Sequence, residues 1–124
     1  MRGDRLQRLA PGIGALLLFA VVTALMLQLR PSYLGLRLPS DLGDPVLSLY
    51  FLEWGEKKIA QGLDGFWDAN FFFPATGVMT FSDHLLGPAA VAVLFRQVWD
   101  NGIAAYNFLF CGSFALSGLS LIHI

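Results

Sequence analysis

Residues 9–29 run for twenty-one positions without a charge and include GALLLFAVVTALML. At 1.5 Å rise per residue a helix of that length is about 31 Å long, which matches a hydrocarbon core of ~30 Å. Arg2, Arg5 and Arg8 precede the run, and the bias of basic residues toward the cytoplasm puts the N-terminus on that side. A cleaved signal peptide would carry a shorter apolar stretch, roughly 7–15 residues, and a small-x-small cleavage site. This run leaves instead through Gln28, Leu29, Arg30 and Pro31. The pattern favours an uncleaved first transmembrane helix over 12–29, after a cytoplasmic segment 1–11.

Composition agrees with a membrane protein. Hydrophobic residues make up 56% of the chain and charged residues 14%, against roughly a quarter charged in a soluble domain. A net charge of −1 and the lack of a basic patch with interleaved aromatics argue against nucleic acid as a partner. The single Cys111 excludes an internal disulfide and a cysteine metal cluster.

A second uncharged run, 101–124, predicts a transmembrane helix over 102–124. Gly112, Ser113, Ala115, Ser117, Gly118 and Ser120 give it small residues at near-helical spacing, which lets helix backbones approach closely in lipid. The run continues to Ile124 with no polar flank, so the chain is expected to be the N-terminal fragment of a larger polytopic bundle. The stretch 84–99 is shorter and carries Pro88 and Arg96. Apolar lengths of about 10–14 more often belong to buried or re-entrant segments. Arg96 can snorkel and Trp99 suits an interfacial belt, so a further crossing is expected here. That crossing would place RQVWDNG in the cytoplasm and the preceding loop outside. The expected class is thus an all-α membrane protein with about three transmembrane helices, plus interfacial helices in a long first outer loop.

That loop, 30–83, holds seven of the nine carboxylates: Asp41, Asp44, Glu53, Glu56, Asp64, Asp68 and Asp83. Asp44-Pro45 reads as a helix start, with Asp44 as N-cap and proline in the first turn. The spacing predicts an interfacial helix over 45–61, ending near Gly62, with Glu53 and Lys57 paired at i, i+4. FWDANFFFP then sets five aromatics around Asp68 and Asn70. They suit either rings at headgroup depth or a groove for an apolar lipid tail. PATG is a turn, and Ser82 or Asp83 is the expected cap of the next helix. His84 could act as acid, base or phosphate partner, or be a plain interface residue. No phosphate loop, dinucleotide fingerprint, HExxH, nucleophile elbow or EF-hand is present.

The order of these motifs carries more than any one of them. A first span, then GDP-x-L-x-x-x-x-L-x-W, FWDANFFFP with PATG, SDHLLG, and AYNFLF with SG-L resembles the N-terminal part of bacterial integral-membrane glycosyltransferases. These belong to the glycosyltransferase C superfamily, with protein mannosyltransferase-like and lipid A aminoarabinose transferase-like members. The resemblance covers about residues 40 to 120. It implies an enzyme of the bacterial inner membrane that passes a sugar from a polyprenyl-phosphate carrier to an acceptor hydroxyl on the outer side. It further implies a carboxylate base in the first outer loop, matched best by Asp44 and next by Asp41. Trp67, Asp68, Asp83 and His84 become the candidate substrate-binding residues. Relatives of this kind often use a divalent cation near the donor phosphate, although no metal-ligand set stands out here. The basic groups that would hold that phosphate are missing, so this piece alone is expected to be inactive. The competing reading is a non-catalytic transporter or scaffold whose loop carboxylates are structural.

Overall fold

The computed structural model describes residues 2–26, 30–39 and 43–122, with side chains from residue 11 onward except those of Pro31 and Ile122. The described residues are all-α: four α-helices, two short 3-10 turns at Pro31–Tyr33 and Val78–Phe81, and no strand. Helix α1 spans Arg2–Met26, α2 Asp44–Ala60, α3 Leu86–Arg96 and α4 Gly102–Ile122.

Among these, one stretch, Gly102–Leu121 of α4, is long and apolar enough to cross a membrane by length and composition. The apolar part of α1, Pro11–Met26, is about 24 Å long. Residues 27–29, which would complete the expected first span, lie outside the described residues. Helix α3 has 11 residues, about 16 Å, or half a hydrocarbon core. The crossing expected over 84–99 is therefore not a single helix of spanning length. The chain turns at both ends: Leu85 takes a left-handed φ of 48° before α3, and Val98 and Trp99 donate back to Phe95 O after it.

Helices α1 and α4 form an antiparallel hairpin. The ring of Phe19 lies so close to Gly118 that a Cβ there would sit 2.7 Å from it. Further along, Ala20 and Ala24 face the stretch of α4 between Ala104 and Ala115. Beyond α1, Asn101 Nδ2 donates to Gly35 O at 3.1 Å, and Asn107 Nδ2 donates to Leu34 O at 2.7 Å and Arg37 O at 2.8 Å. Two asparagines thus tie the turn after α1 to the start of α4. The chain leaving α1 and the chain starting α4 meet at one end of the hairpin. The connector after α3, expected on the opposite side from the loop, reaches that same end.

Helices α2 and α3 pack there on the first half of α4. Phe51 and Leu52, adjacent on α2, point into different cores. Phe51 joins Phe66, Ala69, Val78 and Met79 from the following loop. Leu52 joins Ala89 and Ala92 of α3 with Ala105 and Tyr106 of α4. A helix buried on two sides reads as apolar nearly all round, which explains the first half of α2. Each large side chain so buried contributes about 1.5–3 kcal/mol. Past residue 112 the picture reverses: Phe114, Leu116 and Leu121 of α4 are exposed, as are Leu17, Leu18, Val21 and Leu25 of α1.

Candidate functional site

Asp44 is the first residue of α2, with Pro45 in the same turn. It is not the N-cap, as its spacing suggested. Gly43 holds that position, and its carbonyl accepts from the Val46 and Leu47 amides. The Asp44 carboxylate is exposed and makes no hydrogen bond or ion pair among the described residues. Acid in a first turn complements the positive end of the helix, so the position is electrostatically comfortable without a fixed partner.

One turn on, Ser48 shares a helix face with Asp44. The Ser48 hydroxyl lies beside the Tyr106 phenol, and the Asp44 charge acts on that same phenol. Ser48 and Tyr106 belong to a cleft of about 240 Å³ between α2, the start of α3 and α4. Leu52, Leu85, Pro88 and Phe110 supply its apolar walls, and Ser113 a further hydroxyl. Leu85 follows His84 directly in the chain, so His84 stands next to this cleft. Nothing in the sequence pointed to Ser48 or Tyr106. They lie 58 residues apart and only folding joins them.

The other expected binding residues divide. His84 packs edge-on against Trp67, with ring centroids 5.6 Å apart, and against Phe66 at 5.9 Å. Its Nδ1 accepts from the Leu86 amide at 3.3 Å. The ring therefore takes the place at the start of α3 expected of Ser82 or Asp83. Neither of those side chains caps the helix. Asp83 is exposed with no partner among the described residues. Asp68 is committed to the backbone. Its Oδ1 accepts from the Gly77 amide at 2.7 Å, holding the PATG turn where Gly77 adopts φ +67°. Asp41 lies outside the described residues.

The aromatics also divide. Phe66 is buried, and Trp54 Nε1 donates to its carbonyl at 2.8 Å. Tyr50 packs on Phe71 and donates to Asn70 Oδ1 at 2.5 Å. Phe72, Phe73 and Phe81 are exposed. The expected Glu53–Lys57 pair does not form. Glu53 faces Arg96 instead, at 3.9 Å, while Lys58 donates to Asp64 O and sits over the Trp54 ring.

No protein-family model, curated protein or solved structure matches this sequence. Chemically, the Asp44 carboxylate, one helical turn from Ser48, stands near a mainly apolar cleft that carries the hydroxyls of Ser48, Tyr106 and Ser113. That set can accept a proton from a bound hydroxyl and orient it. No group of three or more His, Cys, Asp or Glu able to hold a metal occurs among the described residues. The cation implied by the resemblance therefore has no ready ligand set there.

Proposed function

We propose that this chain belongs to a membrane glycosyltransferase that moves a sugar from a polyprenyl-phosphate carrier to an acceptor hydroxyl on the outer side. The α1–α4 hairpin would sit in the bacterial inner membrane with the N-terminus cytoplasmic. The exposed apolar faces of both helices support that placement, because large contiguous apolar surface seldom faces water. Asp44 is the base in this reading. As the acceptor oxygen bonds the anomeric carbon, its proton passes to the Asp44 carboxylate. The bond from that carbon to the carrier phosphate breaks, and the phosphate leaves with the electron pair. Trp67 and His84 would flank the sugar, with Asp83 beside them.

The observation that carries the reading is the state of Asp44. Among the described residues it makes no hydrogen bond or ion pair, and its charge reaches the Tyr106 phenol in the neighbouring cleft, whereas Asp68 and Glu56 are committed to structural contacts. In the protein that carries this segment, Asp44→Asn should lower turnover of a polyprenyl-phosphate sugar by about 10²–10⁴-fold with thermal unfolding unchanged. Normal turnover in the folded variant rules Asp44 out as base. The non-catalytic reading draws on the same structural carboxylates. It predicts that Asp44→Ser, which keeps a polar group at the helix start, is tolerated in every assay.

A further inference from the structure

We propose that the cavity where α1, α3 and α4 meet binds the alkyl chain of a neutral amphiphile ending in a hydroxyl. The cavity measures about 410 Å³, within the range of roughly 300–1,000 Å³ typical of ligand sites. Ala20 and Ala24 of α1 face Gly112 and Cys111 of α4, and Phe95 and Trp99 close one side. No charged residue lines it. A Cβ built on Gly112 meets nothing within 4 Å, so the space is open rather than filled by a neighbour. Protein interiors are close-packed, and a void of this size at a helix junction invites an occupant.

Asn107 tells which occupant fits. It lines the cavity and is wholly buried. Both hydrogens of its amide are committed to the Leu34 and Arg37 carbonyls, which fixes the orientation of the group. Its Oδ1 then has no partner. Oδ1 has almost no open surface in this arrangement, so a ligand reaches it only by displacing the side chains over it. Because a buried acceptor left unmet is costly, the polar end that does so must donate. A hydroxyl can. A carboxylate cannot, and it would be a buried charge with no counterion. The exposed Val21 and Leu25 beside Ala24 continue the apolar surface outward and give an alkyl chain a sideways path. The path rests on the membrane reading, but the site makes no use of Asp44 or of sugar transfer.

Cys111, the only cysteine, stands in the wall and reports occupancy. The experiment measures its alkylation by N-ethylmaleimide in the protein held in phosphatidylcholine nanodiscs. 1-Dodecanol should slow the reaction about tenfold, and dodecanoate or dodecane less than twofold. Gly112→Leu, which fills the space, should abolish the protection while keeping helical circular dichroism. Ala20→Leu serves if that variant does not fold. Stronger protection by monolauroylglycerol than by dodecanol marks a lipid as the source, and the reverse marks a free alcohol. No protection, or equal protection by all three twelve-carbon probes, overturns the proposal. Asp44→Asn should leave protection intact, so failure of the catalytic reading is told apart from failure of this one.

Discussion

Arg96 is shared by three carboxylates: Asp100 Oδ1 at 2.8 Å from Nη2, Glu56 Oε2 at 3.5 Å and Glu53 Oε1 at 3.9 Å from Nη1. One cation among three anions leaves an excess of negative charge, and Glu56 Oε1 is buried without a partner. Burial pushes the Glu56 carboxyl above its ordinary value, Arg96 pulls it back, and Glu53 and Asp100 raise it again. The folded state thus binds this proton more readily than the unfolded chain. Stability should therefore rise as pH falls through the raised folded value toward the unfolded one, and gain nothing more from Glu56 below that. Urea midpoints of wild type and Glu56→Gln, compared from pH 7.5 to 4.5, should converge as pH drops. A constant difference across that range counts against the assignment. Arg96 and Asp100 stand at local i, i+4 spacing, but the links to Glu53 and Glu56 were not legible in the sequence. Glu53 and Lys57 had the better local spacing and Arg96 looked like a snorkelling residue, because a partner some forty residues away leaves no periodic trace. The helix start at Asp44-Pro45 was legible, since proline suits the first turn, but the cap is Gly43 and not Asp44. The cleft residues Ser48 and Tyr106 were not legible.

Helix boundaries followed local chemistry where that chemistry was strong. Pro45 opens α2, and the left-handed Gly62 and Leu63 close it just past Ala60. Helix α3 broke the rule, since its start depends on a left-handed leucine and a histidine rather than on Ser82 or Asp83. How the two helices meet depends on a residue type that reads as a defect in a helix. Gly55 is buried inside α2, and a Cβ there would lie 2.6 Å from Ala89 Cβ on α3. On propensity alone, Gly55→Ala should stabilise a helix by about 1 kcal/mol. The clash acts against it. Overpacking a tight contact costs about 1–3 kcal/mol, so we expect a net loss in the urea midpoint. Ala89→Gly in the same chain should recover part of it, because residues in contact couple. A stabilised single variant would mean that α2 and α3 do not approach this closely.

At the scale of the molecule, the alternation of apolar and polar segments suggested three crossings in sequence, with RQVWDNG opposite the acidic loop. The folded chain groups these segments differently. Gly35, just past α1, accepts from Asn101, just before α4, and Arg96 reaches back to Glu53 and Glu56 on α2. Hydropathy counts the length of an apolar run but says nothing of which run it packs against. An eleven-residue apolar helix on Leu52 and Ala105 reads the same as a short span. With the hairpin in a bilayer, loop and connector should share one side. Cysteine placed at Phe73 and at Val98, 96% and 91% exposed, tests this in a Cys111→Ser background. A membrane-impermeant maleimide added to intact spheroplasts should label both. Labelling of Phe73→Cys alone, with Val98→Cys reacting only after lysis, would mean that α3 crosses and that the Asn101–Gly35 contact does not form in the membrane.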